Sequence, residues 1–146
     1  MDWRATTTET AQADLDQLLA DSIQVAIRGL SHQNLAPFML VISTTGDRGM
    51  RSLATPAPNL ETAIAALQSD QDAADLRARA TVLDVTVREP FAGDAINVRL
   101  EHRDGPAIDI LVPYSHNSDG ITVTTDALTA ATDEHRLWPT PPGTEG

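Results

Sequence analysis

TVLDVTVREPFAGDAINVRLEHRDGPAIDILVPY, residues 81–114, alternates apolar and polar side chains three times over. Leu83, Val85 and Val87 share one parity, then Ile96, Val98 and Leu100, then Ile108, Ile110, Val112 and Tyr114. A period of two with one apolar side is the pattern of antiparallel strands that bury one face and wet the other. Parity also predicts the registers. Pairing Val87 with Ile96 brings Leu83 to Leu100 and leaves a four-residue loop, Pro90-Phe91-Ala92-Gly93. Pairing His102 with Pro106 leaves Arg103-Asp104-Gly105, with glycine at the left-handed bulge position of a three-residue hairpin. A two-residue Asp104-Gly105 turn would set buried residues of one strand against exposed residues of the next.

Outward from that meander, the pattern changes period. Leu15, Leu18, Leu19, Ser22, Ile23, Ala26 and Leu30 recur at three and four residues, which predicts a helix over residues 10–28 closed by Gly29. Phe38-Met39-Leu40-Val41-Ile42 is apolar on both faces and short, the pattern of a central strand covered twice. A turn over residues 44–49 leads to a weaker partner strand, residues 50–54. Asn59 is an N-cap for a second helix running to about Arg77–Arg79, with Ser69-Asp70-Gln71-Asp72 as a potential break. Ile121-Thr122-Val123-Thr124 makes a further short strand, and residues 125–138 are open between helix and strand. The expected fold is therefore α+β: two helices packed on one face of a mainly antiparallel sheet of five to six strands, in the order α-β-β-α-β-β-β-(β). Residues 1–138 form one domain and residues 139–146 a flexible C-terminal tail. The element order is similar to that of roadblock or profilin-like scaffolds; the likeness lies in element sequence and carries no site residue.

Composition limits function more than it assigns it. The chain has 146 residues, 41% of them apolar, enough for one core without staples. Aromatics are only Trp3, Phe38, Phe91, Tyr114 and Trp138, so the core must be aliphatic. Without cysteine there is no disulfide, thiolate metal site or cysteine nucleophile. Twenty-one acids against ten arginines, with no lysine, give a net charge of −11. That balance disfavours nucleic acid and anionic membrane surfaces, which need clustered positive charge. Alanine and proline richness fits a GC-rich, prokaryotic genome. No run reaches the ~18 apolar residues of a membrane span, and the first residues show neither a basic start nor an apolar signal core, so the expected location is cytoplasmic.

Three constellations could carry chemistry. The registers above set Asp84, Arg99 and Asp109 side by side on the wet face, where an arginine between carboxylates could clamp a substrate. The plainer alternative is a cross-strand charge ladder. Tyr114-Ser115-His116-Asn117-Ser118-Asp119 gathers hydroxyls, an imidazole and a carboxylate, but these are also the residues a tight turn wants. The histidines, His32, His102, His116 and His135, stand apart, with no pair at helical zinc spacing. No GxxxxGK[ST], GxGxxG or EF-hand pattern occurs, so no cofactor or metal is expected. Trp3 and Trp138 either dock on their own domain or mark a contact surface. The expectation is a non-catalytic interaction or accessory protein that binds a protein partner or its own copies. Alternatives are a small hydrolase using Asp109, Arg99, Asp84 and His116, or a small-ligand sensor with a pocket between helix and sheet.

Overall fold

A computed structural model describes residues 8–31, 36–53, 59–88, 92–118 and 120–138. The first helix, α1 (Glu9–Ser31), is capped by Thr8, whose Oγ1 accepts the Ala11 N–H at 3.2 Å. It runs through Gly29, which therefore closes no turn. Strands β1 (Phe38–Ser43) and β2 (Arg48–Ser52) form a hairpin, followed by α2 (Leu60–Leu67) and the single turn α3 (Asp72–Asp75). Asn59 caps α2 as its sequence position implies, its side chain accepting from the Thr62 N–H at 2.9 Å. Then come β3 (Leu76–Val87), β4 (Gly93–His102), β5 (Ala107–Asn117), β6 (Gly120–Val123), a 3-10 turn (Thr125–Ala127) and β7 (Thr129–Asp133).

Every pairing is antiparallel, in the spatial order β2-β1-β3-β4-β5-β6, with β7 also on β5. The α+β class with a mainly antiparallel sheet is the one expected, built from seven strands among the described residues. The helices, however, divide between its faces. Leu15, Leu18, Ala26 and Leu30 of α1 pack on Phe38, Ile42, Ala78, Ala80, Val82, Val98, Leu100 and Ile110. Each buried leucine among them contributes roughly 1.5–3 kcal/mol, so apolar burial docks α1. Leu67 of α2 meets Met39 and Val41, which point the other way from β1. β1 is thus covered twice, as its unbroken apolar run suggests.

The hairpin β4–β5 keeps the expected register: Leu100 opposes Ile108, Val98 opposes Ile110, and His102 N–H donates to the Pro106 carbonyl at 3.2 Å. Gly105 is needed there for room rather than for a left-handed backbone. A Cβ on it would meet Ala11 Cβ at 3.0 Å and His102 Cβ at 3.3 Å.

The pairing of β3 with β4 differs from expectation. Val82 opposes Val98, Ala80 opposes Leu100 and Ala78 opposes His102. The parity that joins the α1 core is Ala78, Ala80 and Val82, whereas Leu83 falls on the α2 side, beside Asn97. The second helix stops at Leu67, with a break at residues 68–71, so residues 76–80 are strand and not helix. In a strand, Arg77 and Arg79 reach acids on other elements, and that is where their hydrogen bonds go. No helix among the described residues is long and apolar enough to cross a membrane.

Candidate binding groove

The trio Asp84, Arg99 and Asp109 does not assemble. Arg99 does oppose Asp109, but Thr81, not Asp84, lies on its other side. Asp84 sits across the sheet from Arg99, where it accepts a 2.5 Å hydrogen bond from the Tyr114 hydroxyl. Burial and that carboxylate push the Tyr114 hydroxyl above its ordinary value. Asp109 accepts from Asn97 Nδ2 at 2.6 Å. Arg99 itself is 2% exposed, a correction to its placement in solvent. Its Nη1 donates to the Leu100 carbonyl and its Nη2 to the Glu134 carbonyl. Its Nε lies 2.8 Å from Asp133 Oδ2, close enough for an ion pair but out of line for a hydrogen bond. The face expected to be wet is covered by α2 and by residues 134–138, which the alternation within β4 cannot reveal.

Under that cover lies a charged layer. Arg79 donates to Glu101 Oε1 through Nε and Nη2, at 3.2 and 3.0 Å, with both side chains almost wholly buried. Glu101 Oε2 accepts from three successive backbone N–H groups, those of Arg136 at 2.7 Å, Leu137 at 2.8 Å and Trp138 at 3.3 Å. His135 Nδ1 lies 3.3 Å from the same oxygen. Burial by itself would raise the Glu101 carboxyl, but the His135 hydrogen bond, the Arg79 charge and those N–H groups overcome it and hold it down at about 2. One carboxylate therefore ties residues 135–138 to the sheet. Trp138 docks on its own domain, its Nε1 donating to the Ala73 carbonyl at 3.0 Å.

His102 is buried against α1. Its Nε2 is 2.8 Å from Asp14 Oδ2, and its Nδ1 accepts the Asp104 N–H at 3.0 Å. That fixes the proton on Nε2, so neither nitrogen is left to act as a base. Arg77 completes the cluster, donating to both Asp14 oxygens at 3.0 Å. Ser115, His116 and Asn117 belong to β5 and pair with β6 instead of forming a turn. The side chain of His116, together with Trp3, His32 and Phe91, lies outside the described residues.

A cavity of about 500 Å³ opens between α1 and the β1–β2 hairpin. Leu18 and Val25 of α1, Leu40 of β1 and Met50 of β2 supply its apolar lining. Arg28, Asp21 and Arg48 stand among its polar groups. Met50 is 54% exposed, the one large apolar side chain so placed among the described residues. Arg48 meets Asp21 at 3.2 Å in a solvent-exposed pair, the kind usually worth under ~1 kcal/mol. Arg28 has no ion-pair partner among the described residues.

Strand β2 forms one side of this groove and is an edge of the sheet among the described residues. Ser43 N–H donates to Asp47 and Leu53 N–H donates to Pro37, which sets the alternation of the ladder. Gly49 and Arg51 bond inward to β1, while the peptide groups of Arg48, Met50 and Ser52 face outward. The side chains of Arg48 and Met50 stand on the groove side, opposite Ile42 and Leu40. Sequence reasoning offered a pocket between helix and sheet but named none of these residues for it. The only signals of the groove were Met50, unusual in an otherwise polar strand, and arginines at the end of α1 and the start of β2.

Comparison with protein-family models, curated proteins and solved structures finds no match to this chain.

Proposed function

We propose that this chain is a non-catalytic interaction domain that receives an extended segment of a partner along β2. The observation that carries the reading is one juxtaposition: outward-facing peptide groups of Arg48, Met50 and Ser52 beside an apolar groove of about 500 Å³. Strand addition uses both parts, main-chain hydrogen bonds for affinity and alternate side chains in a pocket for specificity. An exposed edge is otherwise a liability that proteins blunt with proline or a covering element. Here Met50 lies at the middle of such an edge.

The test uses Met50→Pro. The Met50 N–H faces away from β1, so proline removes a donor from the open edge and leaves the β1–β2 ladder intact. Titrating the isotope-labelled chain with short β-forming peptides should shift the resonances of β2 and the facing turns of α1. Those shifts should vanish in Met50→Pro while the rest of the spectrum is retained. Shifts confined to other elements, or unchanged in the variant, would reject the reading.

The groove volume favours one alternative, a small ligand with an apolar body and an acidic head, since sites of this size commonly hold such molecules. In that case decanoate raises the melting temperature and the peptides do not.

A further inference from the structure

We infer that the partner segment carries an aliphatic side chain and, two residues from it, a carboxylate. This rests on the edge-strand reading and specifies what the groove selects. Of the arginines described, Arg51 is bound to Asp72, Arg77 to Asp14, Arg79 to Glu101, Arg99 to Asp133, and Arg136 to Glu61. Arg88 and Arg103 form no ion pair among the described residues, but neither lines the groove; the two arginines that do are Arg28 and Arg48. Arg28 has no ion-pair partner among the described residues, and Arg48 holds among them only Asp21, a half-buried carboxylate that also accepts from Gln17 Nε2 at 2.9 Å. A chain of net charge −11 therefore gathers two arginines against one aspartate at this opening. A partner bringing a carboxylate is complementary here.

Strand geometry sets the spacing. Residues directly opposed across a ladder project on the same face, and positions two apart share that face. A partner residue opposite Met50 therefore projects on the groove side, beside the Met50 side chain. The partner residue two positions away lies opposite Arg48, on the face that Arg28 also lines. An aliphatic side chain fits the first position and an acid the second. The order along the partner depends on whether it adds parallel or antiparallel.

A symmetric probe removes that dependence. Fluorescein-labelled peptides with the core Glu-Thr-Leu-Thr-Glu, Lys-Thr-Leu-Thr-Lys and Glu-Thr-Ser-Thr-Glu are titrated with the full chain and followed by anisotropy. The first is expected to bind tightest. The lysine peptide should be weaker by roughly tenfold, as surface charge pairs change from attraction to repulsion. The serine peptide should be weaker still, for want of an apolar anchor. Arg48→Glu lies on an exposed side chain, leaves the core untouched, and should reverse the preference between the acidic and basic peptides. Added salt should narrow that preference.

Equal binding of acidic and basic peptides, both abolished by Met50→Pro, would overturn this inference and leave the edge-strand reading standing. Binding of the acidic peptide that persists in Met50→Pro would overturn the reading itself. No binding by any peptide at millimolar concentration would overturn both.

Discussion

Replacing Glu101 with glutamine removes one charge at the centre of the layer beneath residues 135–138. The carboxylate accepts from Arg79 on one oxygen and from three backbone N–H groups on the other. A glutamine amide must turn its own NH₂ toward one of these donor sets, so a buried donor faces donors in either orientation. Arg79 also loses its charge partner. Breaking a buried pair of this kind costs about 3–5 kcal/mol. The lowered carboxyl of Glu101 corresponds to a similar figure. A drop from 4.5 to about 2, at about 1.36 kcal/mol per pH unit, is about 3 kcal/mol. Because the carboxyl is lowered by folding, that stability is complete above pH 4.5 and is lost as pH falls toward 2. Urea unfolding followed by far-UV circular dichroism should show Glu101→Gln less stable than wild type by about 3–5 kcal/mol at pH 7. At pH 3 the gap should narrow by roughly 2 kcal/mol. A variant as stable as wild type at pH 7, or a gap that does not change with pH, would refute the reasoning.

Further consequences follow from single contacts. Gly105→Ala places a methyl 3.0 Å from Ala11 Cβ, so α1 must yield, and a loss of about 1–3 kcal/mol is expected in the same urea assay. Tyr114→Phe should flatten the alkaline side of the stability profile. The hydroxyl is raised by folding, so wild-type stability is present below its ordinary value of 10 and declines as pH rises past it, which thermal melts from pH 8 to 11 would show. Asn59→Ala removes the acceptor for the Thr62 N–H and should cost about 1 kcal/mol, whereas Asn59→Gly should cost only a few tenths.

The parts of this fold that could be read from sequence were those in which one parity alone was apolar. In β4, Ile96, Val98 and Leu100 alternate with Asn97, Arg99 and Glu101, and together with the spacing of His102 and Pro106 they set the β4–β5 register. In β3 the neighbours Val82 and Leu83 are both apolar, so either phase is open. The phase the chain uses continues through Ala80 and Ala78, whose small side chains give little contrast and which lie in a stretch that also suits a helix. Choosing Leu83, Val85 and Val87 placed Asp84 beside Arg99 and created a cluster the folded chain does not have. Arg99 looked solvent-exposed because arginine usually is. Its burial depends on Asp133 and the Glu134 carbonyl, more than thirty residues away, a relation no local pattern carries. The groove was hidden for a similar reason: Leu18, Val25, Leu40 and Met50 belong to three elements, and only their packing brings them together.

Residue-by-residue amide exchange on β2 tests the central claim most directly. In the free chain, the N–H groups of Gly49 and Arg51, bonded to β1, should exchange slowly, and those of Arg48, Met50 and Ser52 quickly. With the Glu-Thr-Leu-Thr-Glu peptide bound, the fast set should slow at least tenfold while the slow set stays as it was. An open edge whose three outward amides remain unprotected under saturating peptide would contradict the account.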